Sequence, residues 1–261
     1  MQYRILSTIE IKGINYLWEK WKLFQCNPLP FSDLQIDIQL NTQWRYGLEV
    51  LNIQQGKAVL KFDEALLCVN EDWSKAQITL FKECREGVHK LLNALLLTHL
   101  SIKNTLEVHA SLIRVHSNGI LFLGPSGIGK TTQAELWMRY CEAEIINGDR
   151  VFVKQENEIF LGCGSPWHGS SPYCLNKQVP LSALIVLKQS GNNKIRRLSG
   201  FEMVSSVMSS VFFPTWYHVG YDAAYQTLDA LLRTVPVYEL SCRPDEDAVK
   251  LTEEAVFGSR L

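Results

Sequence analysis

The amino-acid sequence predicts an α/β (α+β) fold with a P-loop core, preceded by a β-rich N-terminal region. Residues 124–132 read GPSGIGKTT and match G-x-x-x-x-G-K-T, the pattern of a phosphate-binding loop. An apolar run at 119–123 precedes this loop, and residues 131–140 follow it without Gly or Pro and with apolar residues at helical spacing. The segment before residue 105 consists mainly of short strand-like runs. We therefore predict two domains, residues 1–104 and residues 105–261.

The P-loop predicts a nucleoside triphosphate site. Converging backbone N–H groups bind a phosphate chain, and glycine permits the close backbone approach and positive φ angles that this requires. Lys130 adds a positive charge for the β- and γ-phosphates, and Thr131 adds a hydroxyl for Mg²⁺. The positive end of the following helix dipole favours the same anion. We predict ATP and Mg²⁺ as cofactors, bound by Gly124, Pro125, Ser126, Gly127, Ile128, Gly129, Lys130, Thr131 and Thr132.

The composition is that of an ordinary globular protein. Lys and Arg number 26 against 27 Asp and Glu, so the charge balance gives no support for wholesale binding of nucleic acid or of an anionic membrane. The longest apolar stretch, residues 91–100, is about half the length that spans a bilayer. The N-terminus lacks the apolar core of a signal peptide. We therefore expect a soluble, cytoplasmic protein that binds neither membrane nor nucleic acid.

The seven cysteines include no C-x-x-C pair. An odd number of scattered cysteines predicts reduced thiols, and neither a disulfide framework nor a zinc site follows from it.

The region before residue 105 changes from strand-like to helical. Strands are predicted at 45–53, 57–62, 65–70 and 76–81, and residues 84–100 form an amphipathic helix with leucines on its apolar side. No catalytic pattern occurs here. The sequence leaves open whether this half is a packing platform or a module that binds a partner.

The region after residue 105 contains both strands and helices. Helices are predicted at 201–211, 222–233 and 245–256, the last with Asp245 as its N-cap. Apolar runs between turn residues predict strands at 106–115, 143–146, 151–154, 158–161, 181–187, 194–198 and 236–240.

Asp149 is the leading candidate for the carboxylate that phosphoryl transfer needs at the magnesium ion or at the acceptor hydroxyl. It follows Lys130 by 19 residues. A helix of about ten residues climbs roughly 15 Å, and a short strand returns nearly as far. Asp149 would then lie beside the P-loop if its strand runs parallel to the P-loop strand. The alternative is a plain turn, because N-G-D favours turns in any case.

Four further residues are weaker candidates. His109 lies on the predicted strand that precedes the P-loop strand and could face the γ-phosphate if those two strands are neighbours, although a single His on a strand is usually packed. Trp167 and His168 lie in a loop rich in Gly, Ser and Pro that could contact substrate, or could simply connect two strands. Arg243 precedes the last helix and could reach a phosphate, or could be an ordinary surface arginine.

The residues after position 105 resemble the HPr serine kinase/phosphorylase group of P-loop kinases, which is related in fold to ATP-dependent phosphoenolpyruvate carboxykinase. The resemblance spans about residues 105–256 and rests on Val108-His109, the strand at 119–123, GPSGIGKTT and the IINGDR stretch at 145–150. The layout is closer still to HPr-kinase-like proteins found beside clusters for ribosomally made peptides. Some of those proteins phosphorylate a serine of a peptide.

The resemblance implies a P-loop kinase core of HPr kinase/phosphoenolpyruvate carboxykinase type. Asp149 would match the second of two adjacent aspartates and act as general base on the acceptor hydroxyl, and His109 would match a histidine near the γ-phosphate. Gly148 stands where the group has its first aspartate, Thr131 replaces a serine, and GSPWHG at 164–169 replaces a glycine-rich signature. The resemblance therefore does not extend to HPr itself as substrate or to phosphorolysis.

Together these features predict an ATP- and Mg²⁺-dependent kinase that transfers the γ-phosphate to a hydroxyl of an alcohol-type acceptor. The expected partner is a peptide or protein that presents a serine or threonine. Two alternatives stay open, which are a kinase for a small-metabolite hydroxyl and a nucleotide-binding regulator without catalysis. The oligomeric state is also open, with a homo-oligomer among the options.

Overall fold

The structure, a computed structural model, describes residues 1–13, 17, 19–40 and 58–258 of the 261-residue chain. The chain divides into two compact units. The first comprises Met1–Lys103 and Pro214–Gly220, and the second comprises Asn104–Phe213 and Tyr221–Leu261. The sequence did not indicate that residues 214–220 group with the N-terminal unit. In the described part of the chain, no helix is both long and apolar enough to cross a membrane.

The first unit pairs a mixed sheet with a long helix. Its elements are β1 (Gln2–Ile5), β2 (Ser7–Gly13), a 3-10 helix (Glu19–Phe24), β3 (Leu34–Leu40), β4 (Ala58–Phe62), β5 (Ala65–Val69), β6 (Lys75–Leu80) and α1 (Arg85–Ile102). Among the described residues the strand order is β1-β2-β3-β6-β5-β4. The β2–β3 and β3–β6 pairs are parallel, and the other neighbouring pairs are antiparallel.

Helix α1 packs on the β4–β6 part of this sheet because its leucines recur at helical spacing and bury one side. The helix begins after Cys84, whose sulfur accepts a hydrogen bond from the Gly87 N–H at 3.3 Å. His99 near its end is buried. The ring contacts the Trp73 carbonyl at 2.9 Å through Nδ1 and the Ser7 hydroxyl at 3.3 Å through Nε2. This histidine serves packing in the first unit.

Residues 214–220 bind to the first unit through aromatic side chains. The Trp216 indole N–H donates to Thr98 Oγ1 at 3.0 Å. The Tyr217 and Trp73 rings lie 5.2 Å apart between centroids. These contacts explain why the segment groups with residues far from it in the chain.

The second unit carries the P-loop. Its elements are β7 (Thr105–Val115), β8 (Asn118–Leu123), α2 (Lys130–Cys141), β9 (Glu144–Asn147), β10 (Arg150–Glu156), β11 (Ile159–Cys163), β12 (Gln178–Gln189), β13 (Lys194–Arg197), α3 (Gly200–Met208), β14 (Val211–Phe212), α4 (His218–Thr234), β15 (Val237–Cys242) and α5 (Glu246–Phe257).

The sheet of the second unit has the order β11-β10-β7-β8-β12-β15-β13 in the described residues, with β9 and β14 also paired to β7. Strands β8, β12 and β15 are parallel neighbours. Strand β7 is antiparallel to β8 on one side and to β9 and β10 on the other. A further pairing of β11 with β12 closes part of the sheet on itself.

Two hydrophobic clusters cover the two faces of this sheet. One cluster includes Leu121 and Leu184 with residues of α3 and α4, such as Val207 and Leu228. The other includes Phe122 and Ile185 with Trp137 of α2 and Val249 of α5. Successive strand residues point to opposite faces, so β8 and β12 contribute to both clusters and read as continuous apolar runs. The α/β class predicted from the sequence is confirmed.

Most predicted elements after residue 57 occur within a few residues of their expected bounds, and Asp245 caps α5 through a 3.1 Å bond from the Ala248 N–H. The helix predicted at 201–211 is wrong at its end. It stops at Met208, and Val211–Phe212 pairs with β7, because β7 offers backbone partners that a helix would leave unused. Strands β1, β2 and β3 were not predicted. The strand predicted at 45–53 lies outside the described residues.

Candidate functional site

The P-loop joins the end of β8 to the start of α2, as its pattern requires. Gly124, Gly127 and Gly129 have φ angles of 136°, 79° and 111°, a region that side chains with a Cβ rarely adopt. A Cβ added to Gly127 or Gly129 would meet no atom within 4 Å, so the loop borders open space. The first N–H groups of α2 have no partner within the helix and point toward that space. The cradle therefore fits a phosphate chain.

Lys130 is held beneath this cradle. Its side chain is buried, and Nζ donates to the Gly124 carbonyl at 2.9 Å and to the Pro125 carbonyl at 3.1 Å. A third contact joins Nζ to His109 Nε2 at 2.9 Å. Burial lowers the pKa of Lys130, and the nearby Asp149 charge opposes that shift. The ammonium thus points into the site with each of its three protons directed at a fixed acceptor.

His109 comes from the strand next to β8. The register pairs Ala110 with Leu123, so His109 lies beside Gly124, where the P-loop begins. A lysine ammonium can only donate, so His109 Nε2 accepts and the ring proton is on Nδ1. Nδ1 then donates to Asp149, with Oδ1 at 3.1 Å and the backbone carbonyl at 3.2 Å. His109 therefore links the P-loop lysine to the aspartate.

Asp149 follows β9, which runs in the same direction as β8 because β7 is antiparallel to both. The two strand ends consequently meet at one edge of the sheet, and this satisfies the condition on which the sequence argument depended. The hydrogen bond from His109 lowers the pKa of Asp149, burial opposes the shift, and the charges of Arg150 and Lys130 lower it further. The carboxylate is therefore ionised at neutral pH.

Asn147 fixes the turn that presents Asp149, a role that the sequence analysis missed. Asn147 is fully buried, and its Oδ1 accepts from the N–H groups of Asp149 at 2.9 Å and Arg150 at 3.1 Å. Its Nδ2 donates to the carbonyls of Ser165 at 3.0 Å and Trp167 at 3.2 Å. An Asn that bonds the backbone two residues later is a known turn former, so the N-G-D sequence carried this signal.

The loop after β11 passes directly over Asp149. A Cβ added to Gly169 would lie 2.6 Å from Asp149 Oδ2, and the φ of Gly169 is 55°. Trp167 is buried at 5% exposure and meets the Phe152 ring edge-on at 6.1 Å. His168 Nδ1 contacts the Ser171 carbonyl. The loop is thus adjacent to the Asp149 carboxylate, and direct substrate contact by Trp167 and His168 stays a prediction.

Thr131 and Asp149 provide oxygen ligands of the kind that Mg²⁺ prefers. Thr131 Oγ1 donates to the Gly148 carbonyl at 3.3 Å, which places the first helical turn against the Asp149 turn. Among the described residues there is no cluster of three or more His, Cys, Asp or Glu side chains that could hold a metal. A Mg²⁺ ion that is bound mainly through nucleotide phosphates needs only a few ligands from the protein. Thr131 and Asp149 therefore fit this cofactor.

A buried ion pair between Arg150 and Glu107 also supports the turn that presents Asp149. Arg150 contacts Glu107 at 2.7 Å, and its guanidinium lies 4.6 Å from the centre of the Phe212 ring. Glu107 is 2% exposed. Burial raises the pKa of Glu107 to about 6 despite the opposing effect of Arg150. Burial of the pair therefore costs desolvation free energy. Arg150, the residue next to Asp149, is held in one place by its ion pair with Glu107 and by its contact with the Phe212 ring.

On the opposite side of the P-loop lies a cavity of about 550 Å³. It is bordered by the P-loop, by the ends of β12 and β15, and by Arg243, one of the predicted substrate residues. Arg243 Nε donates to Asp245 at 3.0 Å and its side chain is about half exposed. Arg243 is therefore near the P-loop but on the side away from His109 and Asp149.

The structure thus gathers the sequence candidates into two places. Lys130, His109 and Asp149 form one hydrogen-bonded chain at the P-loop, and Arg243 lines the cavity beside it. Asn147, Ser165, Glu107 and Gln133 also belong to these surroundings, although the sequence analysis did not name them as candidates.

Comparison with known proteins yields a distant likeness among the solved structures. No family model matches the chain, and no curated protein matches it. Among solved structures, the chain is similar to the HPr(Ser) kinase/phosphatase from Coxiella burnetii, over 57% of this chain and 95% of that chain, with 13% identity and a TM-score of 0.35. A likeness of this size carries no argument about fold or reaction, so the functional argument depends on the site itself.

Proposed function

We propose that this chain is an ATP- and Mg²⁺-dependent phosphotransferase that transfers the γ-phosphate to a hydroxyl group. The proposed acceptor is a serine or threonine of a peptide or protein, as the resemblance of residues 105–256 to the HPr kinase group implies. The observation that carries the proposal is the chain Lys130–His109–Asp149, with contacts of 2.9 Å and 3.1 Å, at the base of an open P-loop. A structural P-loop would not require an ionised carboxylate at this position.

Phosphoryl transfer needs mainly positioning and charge stabilisation. The P-loop N–H groups and the dipole of α2 hold the phosphates. Lys130 donates to the transferring phosphoryl oxygens, which requires it to exchange at least one of its present acceptors. Contact with His109 is the one most readily exchanged, because the two carbonyl acceptors belong to the P-loop itself.

Asp149 orients the acceptor hydroxyl by accepting its hydrogen bond. Its lowered pKa makes it a weak base, but a loose transition state needs little proton abstraction before the phosphorus–oxygen bond breaks. His109 holds one carboxylate oxygen through Nδ1, which leaves the other oxygen for the acceptor. The carboxylate gives up the proton to phosphate or water after transfer.

Mg²⁺ would be held by the Thr131 hydroxyl and the Asp149 carboxylate, and when bound it neutralises charge on the phosphates. Ser111 supports this arrangement because its hydroxyl donates to the Gly148 carbonyl at 3.1 Å, the same carbonyl that Thr131 contacts. The backbone between Thr131 and Asp149 is therefore fixed from two sides.

The proposal is tested by incubating the protein with γ-labelled ATP and Mg²⁺ and with panels of serine- and threonine-containing peptides and small alcohols. We expect label transfer to a peptide hydroxyl, and loss of transfer in Lys130→Ala and Asp149→Asn. Lys250→Ala is the matched control, because Lys250 is exposed and pairs with Glu246 in α5. Transfer only to a small alcohol would identify a metabolite kinase. Nucleotide binding without transfer to any acceptor would contradict catalysis.

A further inference from the structure

The cavity beside the P-loop contains a buried polar group with no partner. Gln133 is 3% exposed, and its Oε1 has no hydrogen-bond partner in the part of the chain that the structure describes. Its Nε2 donates to Cys242 Sγ at 3.2 Å. An unpaired buried amide oxygen costs free energy, which a donor from a ligand would recover. Gln133 lines the cavity, so a ligand there could supply that donor.

The topology gives the cavity a defined relation to the phosphates. Strands β8, β12 and β15 are parallel neighbours, so their carboxyl ends lie along one edge of the sheet. Ligands of open α/β sheets bind outside such an edge. His109 and Asp149 lie on the β7 and β9 side of β8, whereas the cavity lies on the β12 and β15 side. A nucleotide whose γ-phosphate meets Asp149 therefore extends its base toward the cavity.

The size and lining of the cavity suit a purine. Its volume of about 550 Å³ lies within the usual range of small-molecule sites. Ile128 and Leu187 provide apolar surface for a flat ring, and Gln133 provides the polar group that fixes its orientation. An unpaired acceptor favours adenine, whose exocyclic amino group donates, over guanine or hypoxanthine, which present a carbonyl oxygen at the same ring position.

We propose that the cavity between the P-loop and the ends of β12 and β15 binds the nucleobase, and that Gln133 selects adenine by accepting a hydrogen bond from its amino group. This inference depends on the proposed function, because it names the base of the nucleotide whose phosphates the P-loop would hold. A site built to accept from a ligand N–H discriminates against analogues without it, since its own oxygen then stays unpaired.

The first test measures Mg²⁺-nucleotide binding by calorimetry, without any turnover. The ligands are ADP, purine riboside diphosphate, which lacks the amino group, and inosine diphosphate, which has a carbonyl oxygen instead. We expect the wild-type protein to bind purine riboside diphosphate about tenfold more weakly than ADP, as for loss of one buried hydrogen bond. Inosine diphosphate should bind more weakly still, because two acceptors then face each other.

Gln133→Leu should bind all three nucleotides with the same affinity within about twofold, because no acceptor remains to distinguish them. Gln226→Leu is the matched control at an exposed position of α4 outside the cavity, and it should keep the wild-type order. Equal binding of the three nucleotides by the wild-type protein would overturn the inference whether or not Gln133→Leu folds. If the wild-type protein binds none of them, the proposed function fails as well.

A second test locates the base through Cys242, which borders the cavity and is part-exposed. Alkylation of Cys242 is followed by mass spectrometry, with Cys141 as the internal reference thiol. ADP should slow the reaction of Cys242 several-fold, whereas tripolyphosphate should not, because it fills only the phosphate cradle. Equal protection by tripolyphosphate, or none by ADP, would place the base elsewhere while leaving the phosphate site intact.

Discussion

The two units of the chain use their buried polar groups differently. In the first unit, His99 lies between the Trp73 carbonyl and the Ser7 hydroxyl, and all three residues are buried. In the second unit, His109 links Lys130 to Asp149 at the edge of the sheet, beside a loop that faces open space. Substitution of the buried polar residues of the first unit should therefore reduce mainly stability. Substitution of Lys130 or Asp149 in the second unit should reduce mainly activity.

Lys130→Ala should have the largest effect on activity. The substitution removes the charge that faces the transferring phosphate, and we expect loss of transfer by about 10³-fold or more. Nucleotide binding by calorimetry should weaken as well, and the far-ultraviolet spectrum should match wild type. Lys250→Ala should show neither change. Phosphate transfer by Lys130→Ala at the wild-type rate would show that the buried polar groups of the second unit do not serve catalysis.

Asp149→Asn should lower kcat by about 10²- to 10³-fold with little change in nucleotide affinity, because it removes the oriented acceptor for the substrate hydroxyl. Single-turnover transfer and calorimetry separate the two quantities. Asp229→Asn is the control, because the Asp229 side chain is exposed on the surface of α4. A variant that loses nucleotide binding but keeps kcat would instead assign Asp149 to the metal alone.

Asn147→Ala should reduce both stability and activity. Two backbone N–H groups that present Asp149 lose their acceptor, so we expect a decrease in unfolding free energy of about 2–4 kcal/mol. Urea unfolding measures the first effect and peptide phosphorylation the second. Asn192→Ala, on an exposed turn, should change neither. Full activity in a destabilised Asn147→Ala would show that the turn holds its shape without this side chain.

The first unit should lose stability in acid through His99. Burial, together with the Lys103 charge, lowers the pKa of His99 from 6.5 to about 4, against the opposing effects of the Trp73 carbonyl, Asp33 and Asp72. The folded state therefore binds fewer protons than the unfolded state between these values, so stability falls as the pH drops from 6.5 toward 4. The full loss amounts to about 3 kcal/mol.

Urea unfolding at several pH values, followed by tryptophan fluorescence, checks this expectation. His99→Gln keeps a donor for the Trp73 carbonyl and cannot be protonated, so its stability should fall less than that of the wild type as the pH drops through this window. His116→Asn is the control in the second unit. An unchanged acid dependence in His99→Gln would assign the transition to other groups.

Asp245→Ala should have the smallest effect. The Asp245 carboxylate caps α5 through the Ala248 N–H at 3.1 Å, and loss of such a cap costs about 1 kcal/mol. Asp247→Ala in the same helical turn keeps the cap and should cost less. Thermal unfolding of the two variants measures the difference. Because Arg243 also contacts Asp245, nucleotide affinity should be measured in parallel.

Local signals in the sequence were sufficient for the elements that depend on local rules. The P-loop follows from glycine conformation, and β8 and α2 follow from the spacing of their apolar residues. The start of α5 follows from the capping preference of Asp245. Strands β1 to β3 were missed because they are short and mixed in composition, and their stability depends on neighbours far along the chain. Val211 was predicted as the end of a helix for the same reason, since the partner of Val211–Phe212 is β7.

The sequence by itself determined the phosphate cradle, because glycines, a lysine and a following helix are sufficient to specify it locally. It also indicated Asp149 and His109 as candidates. Only the tertiary structure decided that the three side chains form one hydrogen-bonded chain, since β7, β8 and β9 must pair in register to bring them together. It likewise revealed the unpaired oxygen of Gln133. Burial and partnership depend on packing among distant residues, which no local pattern encodes.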